Sequence, residues 1–225
     1  MTGSVAVLDA LAGEAAALSA VIRTLRPGDL AITTNCPPWT LHELIVHIAD
    51  SIRVGDEPLP DAPSRDRPRT AADYYRRPER DTDAYRQRNV EHAQSGAAAV
   101  PDAAARFDRE AAHTLDVLRR DDTARVVLIP RVGPMVLAEW IVTRVIAVAA
   151  HALDVAITLD RPPWTTDAAL RVTRPVFIDL LGGDPPDSPR WTGHGFLAAA
   201  TGRRPISDAD RHELGQLADR LPLLS

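Results

Sequence analysis

The sequence predicts a mainly α-helical chain, an antiparallel bundle of about four helices followed by a compact C-terminal α+β piece. Three observations carry this. Apolar residues recur at helical spacing over four long segments. The longest apolar run, residues 136–159, has the length of one central helix. Beyond Pro162-Pro163 the pattern becomes shorter and mixed. The division places the bundle in residues 1–161 and the C-terminal piece in 162–225.

The first helix spans 5–25, with Leu8, Leu11, Leu18, Ile22 and Leu25 on one side, and Pro27-Gly28 ends it. The second follows Pro37-Pro38-Trp39. Thr40 and Glu43 make a capping box, Leu41, Leu44, Ile45, Ile48 and Ile52 form the stripe, and the helix stops near Gly55. Residues 56–70 read as a loop, and part of the polar stretch 71–95 as a weakly amphipathic helix. Pro101-Asp102 opens a helix carrying Phe107, Ala111, Leu115 and Leu118. Residues 125–136 suggest a short strand or extended turn. After the central helix, a helix over 167–181 contains Pro175 and is capped by Gly182-Gly183. A strand is expected near 192–200, and a last helix from Ser207 turns Leu214, Leu217 and Leu221 inward.

Composition narrows the function. With 45% apolar but only 4% aromatic residues, the core must be built from Leu, Val, Ile and Ala. The net charge is −5, and every basic residue other than His is Arg, as in a GC-rich coding bias. The charges are interspersed, and the Arg-rich stretch 65–88 also holds Asp66, Asp73, Glu79, Asp81 and Asp83. A solvated mixed-charge face is expected there, and no nucleic-acid partner. One cysteine, Cys36, excludes an internal disulfide and fits a reducing cytoplasm. It reads as a small buried or half-buried residue in the turn before a helix, with a reactive thiol as the alternative. No basic region followed by an apolar run marks a leader at the N-terminus. Residues 136–159 are long enough to span a membrane, but Glu139, Arg144, His151 and Asp154 interrupt them, so a core helix is expected and no membrane partner.

That central helix carries the main functional signal. Trp140, Arg144, Ala147, His151 and Asp154 fall within one narrow stripe, while Val, Ile, Leu and Ala fill the other faces. A polar stripe on an apolar helix must face water, a partner or a cavity. The plainer alternative pairs Arg144 with a loop carboxylate and gives His151 and Asp154 ordinary core hydrogen bonds. On the second helix His47 lies at the flank of the apolar stripe beside Ser51, with Glu43 and Asp50 on the same side. Histidines on facing helices can hold a metal or act as acid and base. The sequence has no Gly-rich phosphate loop, nucleophile elbow, Cys pair or His pair four apart.

Several stretches together carry a resemblance. They are Trp39-Thr40 with Leu44 and His47; Met135 with Leu137-Ala138-Glu139; Thr143-Arg144 with His151 and Asp154; Ala200-Thr201-Gly202-Arg203-Arg204-Pro205; and Leu217-Ala218-Asp219-Arg220. In these the chain resembles the mycothiol-dependent maleylpyruvate isomerase family, within the DinB-like four-helix superfamily. The resemblance implies a DinB-like bundle and a divalent metal, usually zinc, held by the second-helix His and an E-x-x-x-H pair, with a thiol reacting nearby. His47 and His151 match two ligands, and the carboxylate position is Ala147. A catalytic zinc normally has three protein ligands and an open position, so a tight site is not expected, and zinc or mycothiol remain as possible weak cofactors. Glu139 lies about 18 Å along the axis from His151; Asp50 and Asp154 are better placed to substitute.

The resulting expectation is a small-molecule enzyme with a degenerate metal site. It would act as isomerase, cyclase or lyase through His47 and His151 in an interhelical pocket. Arg144, Trp140, Asp50 and Arg203 are the expected substrate-binding residues, and the chain is a monomer or homodimer. The alternatives are a metal- and mycothiol-dependent isomerase or S-transferase, and a non-catalytic small-molecule binding protein.

Overall fold

The computed structural model describes residues 4–63 and 67–224; residues 64–66 of the expected 56–70 loop lie outside the described residues. The described chain is mainly helical. Helix α1 spans Ser4–Ile22, α2 Leu41–Ile52, α3 Ala71–Tyr75, α4 Asp83–Ala99 and α5 Ala103–Arg119. Strands β1 (Val126–Ile129) and β2 (Gly133–Val136) precede α6 (Leu137–Thr158). Helices α7 (Asp167–Leu181), α8 (Gly193–Ala200) and α9 (Asp208–Leu214) complete it.

Four helices, α1, α2, α5 and α6, pack in a ring in which each touches two of the others, and α4 covers the outside of α2. Local chemistry sets the ends. The Thr40 side chain accepts from Glu43 N–H while Glu43 accepts from Thr40 N–H, so α2 starts on the expected capping box. Asp102 caps α5 by accepting from Ala105 N–H at 2.9 Å. Gly182, at φ 78°, stops α7 in the left-handed conformation that glycine adopts without a Cβ clash.

The 125–136 segment is an antiparallel hairpin pairing Val126 with Val136 and Ile129 with Gly133. The polar 71–95 stretch forms two helices, α3 and α4, separated by a 3₁₀ turn over Pro78–Asp81, because Pro78 cannot donate to a continuing helix.

The expected C-terminal α+β character is corrected. Residues 193–200 form α8, and among the described residues no strand lies beyond β2. Phe196, Leu197, Ala199 and Ala200 are buried together, at the three-to-four spacing of a helix, and the alanine run favours helix. Helix α7 packs on α1, and one continuous apolar cluster includes Val7 of α1 and Ala218 near the C-terminus.

By length and composition α1 and α6 are each apolar enough to cross a membrane; 72% of the α6 segment is buried inside the protein, as a core helix requires. Helix α1 contains Glu14, fully buried, whose Oε2 accepts from Thr166 N–H at 2.9 Å at the start of α7. Burial raises the Glu14 carboxyl above its ordinary value, against the opposing hydrogen bonds of Thr166 and Thr165. Between the ordinary and the raised value the fold holds a proton that the unfolded chain has released. Stability therefore falls as pH rises through that window and stays low above it. Glu14→Gln keeps an acceptor for Thr166 and removes the charge. Its melting temperature is expected to exceed the parent's at neutral pH, with the gap closing towards pH values below the ordinary Glu range; thermal melts across that range check it.

Candidate functional site

Helices α2 and α6 bring two imidazoles together. His47 and His151 have ring centroids 5.0 Å apart and lie edge to face, at 88°. Both line one cavity of about 460 Å³, whose walls come from α2, α3, α4, α6, the 36–39 turn and the C-terminal segment. The cavity is large enough for a small molecule.

The two rings are held differently. Trp39 packs against His47 with centroids 4.5 Å apart, and Ser51 Oγ lies 3.4 Å from His47 Nε2. Burial first, and the neighbouring His151 second, push the His47 imidazole down to about 3, so it is neutral at physiological pH. His151 Nδ1 sits 2.9 Å from Asp154 Oδ2. An ionised carboxylate can only accept, so this nitrogen carries the proton and Nε2 is left as the basic atom.

Asp154 is fully buried and fully committed. Arg203 donates to both of its oxygens, from Nε at 2.9 Å and Nη2 at 2.6 Å, and Asn35 Nδ2 donates at 2.9 Å. Burial works to raise this carboxyl, but the hydrogen bonds of His151 and Arg203 outweigh it and hold it well below the usual carboxylate range. Asp154 thus orients His151 through a network that ties α6 to Asn35, just before the 36–39 turn, and to the C-terminal segment.

The stripe on α6 divides in the middle. Arg144, Ala147 and His151 reach the cavity. Trp140 does not line it: it is 6% exposed and stacks behind Arg144, the guanidinium carbon 5.1 Å from its ring. Among the described residues no loop carboxylate pairs with Arg144. Nη1 donates to Ser51 O at 2.8 Å and Nη2 to the Tyr74 hydroxyl at 3.0 Å.

Asp50 is also absent from the cavity. It pairs with Arg106 of α5 and lies 3.4 Å from His92 of α4. Three residues advance a helix by about 300°, which turns Asp50 from the His47 side towards α4 and α5. The neighbouring Arg203 and Arg204 diverge: Arg203 lines the cavity, while Arg204 pairs with Asp210 at 2.7 Å and stacks on Trp191. Glu139 accepts from Ala71 N–H at 2.8 Å and anchors α3.

The expected mixed-charge face over 65–88 is partly turned inward. Tyr74, Tyr75, Arg80 and Tyr85 line the cavity, with Cys36 and Trp39 on the opposite turn. Apart from the reactive-thiol alternative at Cys36, the sequence reading gives none of these a site role. Trp39 belongs to the stretches that carry the family resemblance, and the adjacent Tyr74 and Tyr75 are the signal the sequence offers for the others.

Cys36, His151 and Asp154 offer ligand atoms within 4.8 Å of one another. Both Asp154 oxygens are already taken by Arg203. Burial first, with the Asp154 charge second, pushes the Cys36 thiol up to about 12, which opposes the thiolate that a metal needs. At the position one turn before His151 stands Ala147, with no donor atom. Among the described residues His47 and His151 remain, which is one ligand short of a firmly held zinc, so these residues do not fit that ion.

Residues 11–156 match the family model described as the mycothiol maleylpyruvate isomerase N-terminal domain. No curated protein and no solved structure matches the chain. The matched stretch contains His47, Ala147, His151 and Asp154 and stops before Arg203.

Proposed function

We infer a small-molecule acid–base enzyme from the premise that the chain belongs to the mycothiol maleylpyruvate isomerase N-terminal domain family, whose model covers residues 11–156. Membership points to a mycothiol-related, isomerase-like function. On this reading the bundle is DinB-like, with residues 1–161 as one unit and 162–225 as a second that closes the cavity. The working residues are His47 and His151, and the reaction is an isomerisation, cyclisation or elimination.

The observation that carries this is the imidazole pair, 5.0 Å apart in one cavity, with the proton of His151 fixed on Nδ1 by Asp154. His151 Nε2 is then a base of defined direction, and the neutral His47 is its partner in moving a proton. The substrate is an anion. Among the described residues, Arg80 and Arg144 line the cavity without a carboxylate partner, Arg86 and Arg203 line it already paired with Asp83 and Asp154, and no carboxylate lines it. Cavity walls of one sign concentrate ligands of the other. Because the donors do not fit a three-ligand ion, no step is assigned to a metal.

The grouping of Cys36, His151 and Asp154 favours a second reading, a metal- and mycothiol-dependent isomerase or S-transferase. It requires Arg203 to release Asp154. Turnover of maleylpyruvate with mycothiol, measured with and without a chelator, separates the two. The metal-free reading expects turnover that survives chelation and is lost in His47→Ala and His151→Ala. Turnover that chelation abolishes supports the second reading.

A further inference from the structure

Two adjacent tyrosines on α3 have opposite surroundings. Their rings meet edge to face with centroids 5.1 Å apart. The Tyr75 hydroxyl donates to Thr143 O at 3.1 Å, and burial pushes its ionisation above the ordinary phenol range. The Tyr74 hydroxyl instead accepts from Arg144 Nη2 at 3.0 Å. Among the described residues its own proton has no acceptor, and the side chain lines the cavity.

Three guanidiniums surround the Tyr74 ring, those of Arg77, Arg80 and Arg144, with their carbons 4.4, 5.1 and 5.5 Å from its centroid. Arg77 is partly offset by Glu79 at 3.3 Å. Arg80 and Arg144 bond to the Tyr85 and Tyr74 hydroxyls, and no carboxylate of the described residues pairs with either. Asp73, the nearest acid in sequence, is held by Thr70 and pairs with Arg76 on the outside of α3. A guanidinium withdrawn from water without an anion costs free energy, so this wall is incomplete until a ligand brings one. Burial alone would raise the Tyr74 hydroxyl; Arg144 and Arg80 reverse this and bring it to about 8.

We propose that Tyr74 is a further acid–base residue of the cavity, which with Arg144 and Arg80 receives an anionic oxygen of the substrate, a carboxylate or enolate, and exchanges a proton with it. When an enolate forms, the phenol proton passes to its oxygen and Arg144 holds the phenolate; the reverse transfer restores both. Arg144 also donates to Ser51 O, and Ser51 Oγ touches His47. The anionic oxygen is thereby placed one side-chain length from the imidazoles, which act at carbon. The inference rests on the reading that this cavity takes a small anion, and goes further in assigning the group that titrates with it.

The test is a spectrophotometric tyrosine titration of the full chain, which has three tyrosines, with succinate as the probe anion. One tyrosine is expected to ionise near pH 8, and this step should vanish in Tyr74→Phe at unchanged melting temperature. Saturating succinate should move the step upward by roughly one pH unit, a tenfold change in proton affinity. A step near pH 8 that persists in Tyr74→Phe, or no ionisation below the ordinary phenol range in the parent, overturns the proposal. Imidazole NMR resonances are followed in the same samples. If they respond to succinate and the tyrosine step does not, this inference fails while the cavity reading stands. If neither responds, both fall.

Discussion

Arg203→Ala is expected to lower the stability of the folded chain by about 3–5 kcal/mol, the usual cost of leaving a buried charge without its partner. The loss comes from Asp154. It is fully buried and accepts two hydrogen bonds from Arg203, at 2.9 and 2.6 Å. Removing the guanidinium leaves an ionised carboxylate facing Asn35, His151 and the Cys36 thiol. For a chain of this size the fall in melting temperature is roughly 6–20 °C. Asp154→Asn added to Arg203→Ala should recover part of it, since the charge is gone, and denaturant unfolding of the single and double variants measures the coupling. From sequence, alanine at both Arg203 and Arg204 is expected to weaken an anionic ligand while barely touching stability. The stability half of that expectation changes, because each arginine closes an ion pair on a buried aspartate, Asp154 or Asp210, and the melting temperature is expected to fall.

His151→Ala is expected to lower turnover by about 10²–10⁴-fold, the contribution of a positioned general acid or base. Stability should change little in comparison, because Asp154 keeps the two Arg203 bonds. Asp154→Asn should give an intermediate loss. Its side chain can still accept from His151 Nδ1 but no longer stabilises an imidazolium formed during proton transfer. Turnover of maleylpyruvate in the presence of mycothiol, read alongside the melting temperature of each variant, distinguishes a catalytic from a structural loss. Full turnover in His151→Ala would remove the role assigned to the pair.

The histidine pair was legible in the sequence because its neighbours on each helix are apolar. His47 stands between Val46 and Ile48 and His151 between Ala150 and Ala152, and helical periodicity places each face. The capping box at Thr40 and Glu43 was legible for a similar local reason. Asp50 and Trp140 were misplaced because periodicity says which side a residue occupies but not which neighbour waits there. Arg106 of α5 takes Asp50, and Arg144 lies between Trp140 and Tyr74. Tyr74 and Arg80 were hidden in a polar stretch whose helices are short and broken at Pro78. Such a stretch resembles a solvated surface until the fold turns it across the mouth between α2 and α6. The C-terminal network was missed for the opposite reason. Arg203 and Asp154 are 49 residues apart, and nothing local announces their pairing.

The central claim is that His47 and His151 work in this cavity without a firmly held metal, and zinc content tests it most directly. Protein purified without added metal and dialysed against chelator should carry far less than one zinc per chain. Ala147→Glu, which restores a carboxylate one turn before His151, should approach one zinc per chain under the same treatment and lose it again when His47 is replaced. Stoichiometric zinc in the parent protein that survives chelation and disappears in His47→Ala would contradict the account.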